Sequence, residues 1–280
     1  MVFETYVPAP PLNRFVEFLW FYDDFTPLHT KEKLLPDASM ELIIDLREHP
    51  KALYDPDDFT RSVKFRRYWL SGMQRKYLVI DASPGSMMGA HFRTGGAWPF
   101  FGAPLREFSD QVVELDCVLG SQAESLRERL LEEPDAKRKL RRLEKFLLKL
   151  GGTRLESDRS VDFALEQIMS LPVRLLMRDL ASIMGVSQKH LIHLFDMRVG
   201  MTPKQVDRVV RFQKVVKGLG KADVRNLDWS RIAVDCGYYD QPHFINDFRL
   251  FSGLTPSAFL EQEWDYTNFL IVDPPSATPQ

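Results

Sequence analysis

The chain has 280 residues, of which 44% are hydrophobic and 27% charged, with a formal net charge of −2. This length favours two domains, and the near-neutral charge excludes a protein that coats nucleic acid with its whole surface. No run of 18 apolar residues and no signal-peptide pattern occurs, so we expect no membrane span or export. Cys117 and Cys236 both lie in apolar patterns, which favours reduced core thiols and a cytoplasmic protein.

The first 110 residues alternate short apolar runs with turn residues, which predicts mostly β structure. The predicted strands are 18–22, 40–46, 69–71, 77–81 and 87–93. Short strands at this spacing favour a small barrel or sandwich. Five residues are candidates for lining an effector pocket, with a carboxylate or a guanidinium as the polar anchor: Trp20, Glu41, Trp69, Arg93 and Trp98. The alternative is that these aromatic residues are ordinary core.

Residues 111–159 have a helical pattern. Ser121 and Glu124 form a capping-box pattern ahead of one helix. A second helix is expected over 135–150, and four leucines form a stripe on it: Leu140, Leu143, Leu147 and Leu150. Their spacing approaches that of a heptad seam, so the segment is a candidate for homodimerisation. The alternative is that the stripe packs on the β domain of its own chain.

From residue 160 onward the chain is predicted to be helical, and one pattern occurs twice. The first copy is Leu180-Ala181, Gly185, Leu191, Phe195, Gly200 and Thr202-Pro203, and the second is Ile232-Ala233, Gly237, Phe244, Phe248, Gly253 and Thr255-Pro256. A glycine ends the first helix of each copy, and Ser187 or Asp240 can cap the second. Each copy therefore predicts a helix-turn-helix, the usual way to present side chains to the major groove.

The two copies are joined by a long helix that a Thr202–Gln205 capping box begins and that ends near Leu219. Its 17 or so residues span roughly 25 Å, which could hold the two second helices about one DNA turn apart. Residues 173–260 contain 13 Lys and Arg against 8 Asp and Glu. This mildly basic balance permits DNA binding.

These residues resemble the DNA-binding domain of the AraC/XylS family of bacterial transcription regulators over 160–262. The residues that carry the resemblance are Ser187, Leu191, Phe195, Gly200-Met201-Thr202-Pro203, Arg211, Ile232-Ala233, Gly237-Tyr238, His243-Phe244, Phe248-Arg249 and Gly253-Leu254-Thr255-Pro256. The N-terminal part is similar to the cupin-type sensor domain of one family branch. That similarity rests on Pro36-Asp37, Glu41-Leu42-Ile43, Gly72, Phe92-Arg93 and Leu115-Asp116.

The resemblance implies an α+β protein: a mostly-β, cupin-like barrel, a helical linker, and an all-α domain with two helix-turn-helix motifs joined by a long helix. The implied boundaries are 1–110 for the effector-binding domain, 111–159 for the linker or dimerisation segment, 160–264 for the DNA-binding domain and 265–280 for a tail.

The resemblance also implies which side chains contact DNA. The expected base readers are Gln188, Lys189, Ile192 and His193 in the first unit and Gln241, Pro242, Ile245 and Asn246 in the second. Gln and Asn can pair with adenine, Lys can reach guanine, and Ile can pack on a thymine methyl group. The expected phosphate contacts are Lys204, Arg198 and Arg249, whereas Arg211 is expected to pair within its domain. The family usually has Arg at 189, 193 and 246, so the base preference stays open.

The sequence therefore predicts an effector-responsive, sequence-specific regulator with double-stranded DNA as its partner. A small-molecule effector, a second copy of the chain and, for an activator, RNA polymerase are further expected partners. No catalytic residue, cofactor or metal site is expected. One alternative is a ligand-binding or interaction module with a degenerate helix-turn-helix domain. Another is a cupin-type metalloenzyme, which is disfavoured because His29, His49 and His91 are isolated in sequence.

Overall fold

The computed structural model describes residues 2–156, 159–170, 177–219, 227–262, 264–266 and 268–272. The proline-rich end of the predicted tail, 273–280, lies outside the described residues. None of the helices in these ranges has the length and apolar composition needed to span a bilayer.

Two six-stranded antiparallel sheets form the N-terminal domain. Their strands are β1 (Val2–Tyr6), β2 (Val16–Phe25), β3 (Lys31–Leu34), β4 (Glu41–Asp45), β5 (Lys51–Asp55), β6 (Asp58–Phe65), β7 (Tyr68–Ser71), β8 (Leu78–Asp81), β9 (Gly85–Phe92), β10 (Val112–Glu114), β11 (Trp264–Tyr266) and β12 (Phe269–Ile271). The first sheet has the order β1-β2-β9-β4-β7-β10, and the second β11-β12-β3-β8-β5-β6. Each of the five predicted strands overlaps an observed one.

Eleven α-helices occur in the described part of the chain. They are α1 (Trp98–Phe101), α2 (Asp116–Leu119), α3 (Ser121–Leu131), α4 (Ala136–Gly151), α5 (Arg159–Ser170), α6 (Met177–Ile183), α7 (Gln188–Arg198), α8 (Pro203–Leu219), α9 (Trp229–Asp235), α10 (Gln241–Ser252) and α11 (Pro256–Leu260). The predicted α+β class, with a β-rich N-terminal part and a helical C-terminal part, is confirmed.

The main hydrophobic core lies on the outer face of the first sheet. Because side chains alternate along a strand, β2 sends Leu19 and Phe21 to this face, where they join the core that also contains the leucines of α4. Leu140, Leu143 and Leu147 are almost fully buried there, and α4 contacts β2 and α1. These leucines therefore pack within their own chain, which is the alternative that the sequence left open, and they are not free to form a dimer seam.

The other face of the first sheet, which points toward the second sheet, carries a separate and smaller cluster. Its buried members are Trp20, Phe65, Trp69 and Met87. The two sheets thus enclose aromatic side chains without forming the principal core between them. This leaves room for the cavity described below.

The chain returns to the N-terminal domain after the helical domain. β12 pairs with β3 in antiparallel register, with Leu270 opposite Lys33, and Leu270 is buried. Residues 265–280 were predicted to be a tail, but part of this segment is a strand of the second sheet. The helical domain is therefore connected to the β domain at both of its ends.

Both cysteines are free. Cys236 is half-buried, but Cys117 is exposed on α2, so its predicted place in the core is wrong. Its apolar neighbours in sequence, Leu115 and Leu119, are buried instead because they lie on the opposite side of this short helix.

Candidate nucleic-acid interface and internal cavity

The first helix-turn-helix unit consists of α6 and α7. α7 begins after Ser187, whose Oγ accepts a hydrogen bond from the backbone N–H of His190 at 3.2 Å, as expected of an N-cap. Leu191 and Phe195 are fully buried. The four predicted base readers of this unit lie on the exposed side of the helix: Gln188, Lys189, Ile192 and His193.

The second unit consists of α9 and α10. Its N-cap is Asp240, which accepts from the backbone N–H of His243 at 2.8 Å. Of the predicted readers, Pro242 and Asn246 are exposed, whereas Gln241 and Ile245 are only half-exposed.

Two of these readers have contacts inside their own unit. Gln241 Oε1 accepts a hydrogen bond from Ser230 Oγ at 3.1 Å, and Ile245 packs against the core. The exposed face of α10 is therefore narrower than the sequence pattern predicts.

α8 joins the two units and packs against α5 and α10. The predicted capping box is present, with Thr202 N–H donating to Gln205 Oε1 at 2.8 Å. Arg208 binds the buried Asp247 of α10, with 2.6 Å between Nη2 and Oδ1. Arg211 is buried and pairs with Asp207 at 3.0 Å, so its predicted structural role is confirmed.

The three predicted phosphate contacts are in different surroundings. Lys204 and Arg249 are exposed. The guanidinium of Arg198 instead lies over the ring of Trp98, with its Cζ 4.7 Å from the ring centroid. Arg198 thus takes part in the interface between the two domains, and Trp98 belongs to that interface rather than to a pocket.

The turns that follow α7 and α10 pack against the N-terminal domain. At the first, Ser109 Oγ donates a hydrogen bond to the backbone oxygen of Gly200. At the second, Gly253 lies against Tyr77, and a side chain there would approach the ring to within 2.7–2.9 Å. Gly200 and Gly253 occupy the same position in the two copies of the repeat, and their φ values are +87° and +73°. Glycine is therefore needed at both positions for the backbone conformation as well as for the close approach.

A cavity of about 1240 Å³ lies between the two sheets and extends to the helical domain. Four of the five predicted pocket residues line it, namely Trp20, Glu41, Trp69 and Arg93, but Trp98 does not. Part of its wall comes from α5 and α8 of the helical domain. Sequence reasoning missed this contribution because no local pattern indicates which helix closes a cavity formed by another domain.

The polar groups of the cavity are centred on His91 of β9. Its Nδ1 lies 3.7 Å from Glu41 Oε1, and its Nε2 lies 3.6 Å from Asp37 Oδ2. Burial lowers the pKa of His91, but the surrounding carboxylates Glu41, Asp37 and Glu17 raise it by more, and the pKa lies at about 9. His91 is therefore an imidazolium at neutral pH. Glu41 Oε1 also accepts from Trp20 Nε1 at 2.8 Å.

Two segments of the chain match known domain families. Residues 180–262 match a family described as a helix-turn-helix domain, and residues 4–114 match a domain of unknown function, DUF6597. No curated protein sequence is significantly similar to the chain.

Solved structures of similar fold include ToxT from Vibrio cholerae, with 11% identity over 92% of this chain and 98% of ToxT, at a TM-score of 0.44. ToxT bound to an unsaturated fatty acid has 11% identity over 86% and 94% of the two chains, at a TM-score of 0.43. A regulator with an AraC-type DNA-binding domain from Chromobacterium violaceum has 24% identity over 36% and 86%, at 0.30.

The paired helix-turn-helix units define the class: the protein is a DNA-binding transcription regulator. Its C-terminal domain is of the AraC type. The N-terminal domain, whose residues 4–114 match DUF6597, forms most of the cavity wall.

Proposed function

We propose that this regulator reads one DNA site with two helices, α7 and α10, in adjacent major-groove segments, and that a small molecule in the cavity controls this binding. The observation that carries the proposal is that α8 both joins the two reading units and forms part of the cavity wall. This helix joins the two helix-turn-helix units, and its residues Val210, Gln213 and Lys214 line the cavity. A ligand in the cavity would therefore touch the helix that sets the spacing of the reading helices.

The exposed side of α7 supports base reading by its four polar and apolar side chains, of which Lys189 suits guanine and Gln188 suits adenine. On α10, Asn246 is the better placed reader because Gln241 already accepts a hydrogen bond within the domain. Lys204 and Arg249 would contact phosphates. Arg198 would contact phosphate only after it leaves the Trp98 ring.

The salt dependence of binding tests the DNA contacts. Each phosphate contact contributes about 0.9 to the slope of log affinity against log salt. Lys204→Ala and Arg249→Ala should each reduce the slope by about one in fluorescence anisotropy titrations of a labelled duplex. Lys64→Ala, on the exposed strand β6, is the matched control and should leave it unchanged. A slope near zero, or equal effects of all three substitutions, would contradict the proposal.

The control by the cavity can be tested without a known effector. Ile43→Trp and Val112→Trp each place a larger side chain into the cavity, which both native residues line. If occupancy of the cavity moves α8, DNA affinity should change about fivefold or more, the lower limit of typical allosteric coupling. Unchanged affinity in both variants, with the fold intact by circular dichroism, would refute the coupling.

A further inference from the structure

One end of the cavity has buried hydrogen-bond acceptors without donors. Gln213 is 6% exposed, and its Nε2 donates to the backbone oxygen of Pro36 at 2.8 Å. This bond orients the amide, so Oε1 is the acceptor that has no partner among the described residues. Asn268 Oδ1 is likewise buried without a partner there, and the Asn268 backbone oxygen accepts from Leu35 N–H at 2.9 Å. Both amides therefore flank the same short segment of the cavity wall.

Two carboxylates, each with one oxygen already hydrogen-bonded to Ser39 or Trp20, lie at the same end of the cavity. Asp37 follows Pro36 directly, and Glu41 lies on the other side of His91. The distances of 3.6 and 3.7 Å to the imidazole are longer than a direct hydrogen bond. Two carboxylates face the one imidazolium, so groups that donate hydrogen bonds or carry positive charge are favoured beside Asp37 and Glu41. Arg93 also lines the cavity, and its Nε donates to the backbone oxygen of Asn13 at 2.9 Å.

Aromatic rings lie next to these acceptors. Phe18, Trp20 and Tyr22 follow one another on the cavity face of β2. The indole of Trp20 lies over Gly89, where an added Cβ would be only 2.7 Å from the ring. An aromatic wall beside acceptors is the surface on which proteins bind organic cations, because a ring face attracts positive charge.

Lys51, the buried lysine of the cavity wall, is already matched, which disfavours an anionic ligand beside it. Lys51 Nζ donates to the carbonyl oxygen and the hydroxyl of Ser83, both at 2.7 Å, and to the carbonyl oxygen of Pro84 at 3.2 Å. On the side of the helical domain, Lys214 and Lys217 of α8 line the cavity together with two carboxylates of α5, Asp162 and Glu166.

We infer that the effector is an organic cation, with an apolar body against Trp20 and an ammonium or amidinium group that donates to Asp37, Glu41 and Gln213. This inference rests on the proposed role of the cavity as an effector site and specifies which ligands it selects. The aromatic wall provides the affinity for the apolar body, and the acceptors discriminate between head groups.

Three matched probes test the inference: 4-phenylbutyl-trimethylammonium, 4-phenylbutylamine and 4-phenylbutanoate, titrated into the full chain by calorimetry at pH 7. The two cations should bind at least tenfold more tightly than the carboxylate, and the amine should bind most tightly because it can donate to Gln213. Glu41→Gln keeps an oxygen for Trp20 Nε1, so it should fold, and it should weaken both cations about tenfold. Glu128→Gln, an exposed carboxylate of α3, is the control and should change nothing.

The outcomes separate the ligand class from the function of the cavity. Equal or tighter binding of the carboxylate would overturn the cation inference, although the cavity would still be a ligand site. If none of the probes binds at millimolar concentration, the inference is also overturned. The proposed control of DNA binding is judged separately by the cavity-filling variants. If Glu41→Gln unfolds the chain, Asp37→Asn provides the same comparison.

Discussion

The ion pair between Arg208 and Asp247 joins α8 to the second reading helix, and its two partners differ in burial. The side chain of Asp247 is 3% exposed and that of Arg208 is 31% exposed. Removal of Arg208 therefore leaves a carboxylate in the domain core, whereas removal of the Asp247 charge leaves a guanidinium that can turn toward water. Breaking a buried pair costs about 3–5 kcal/mol of folding free energy.

We expect Arg208→Ala to lose about 3 kcal/mol, the lower end of that range, because His243 lies 3.7 Å from Asp247 and can partly compensate. Asp247→Asn should lose only about 1–2 kcal/mol, since the amide can still accept a hydrogen bond. Arg231→Ala breaks an exposed pair on α9 and should change stability by about 0.5 kcal/mol or less.

Amide hydrogen exchange in α10 measures these losses in the unit concerned, without the assumption that both domains unfold together. Urea unfolding followed by circular dichroism provides the comparison for the whole chain. Equal losses for the two ion-pair variants, or a larger loss for Asp247→Asn, would refute the argument that burial of the carboxylate decides the effect.

Three further predictions concern other parts of the chain. Phe195→Ala removes a fully buried ring and should destabilise its unit by about 3–5 kcal/mol in the same exchange measurement, whereas Lys189→Ala should leave stability unchanged. Asp240→Ala should lower the free energy of unfolding by about 1 kcal/mol because α10 loses its N-cap. Unchanged stability would show that this cap does not stabilise the helix. His91 has a pKa of about 9 in the fold against 6.5 unperturbed, so its stabilising charge is fully effective below about pH 6.5 and is lost as the pH rises through 9. The difference in melting temperature between wild type and His91→Gln should therefore shrink over that interval, and a constant difference would contradict it.

Local patterns predicted the helical domain well because its signals are local. The N-caps Ser187 and Asp240 and the capping box that begins with Thr202 form as expected, since each bond joins residues three positions apart. The same reasoning failed at Ser121. α3 already begins at that residue without a side-chain cap, and Glu124 instead accepts from Tyr68 OH at 2.9 Å. A tertiary partner had replaced the local one.

The strands that the sequence did not reveal have weak alternation. In β6 six of the eight residues are exposed. β12 is only three residues long, and the prolines that follow it are typical of a disordered tail. Its pairing with β3 depends on residues more than 230 positions away. The cavity likewise depends on contacts between domains. Its aromatic residues could be suspected from sequence, whereas the role of Gln213 could not.

Selection of bound sequences from random duplexes, with wild type, Lys189→Ala and Asn246→Ala in parallel, tests whether α7 and α10 each read one part of the same DNA site. We expect a site in two parts about one helical turn apart, with Lys189→Ala relaxing the preference in one part and Asn246→Ala in the other. If wild type enriches no sequence, or if both substitutions alter the same base pairs, the claim that two helices read adjacent segments is contradicted.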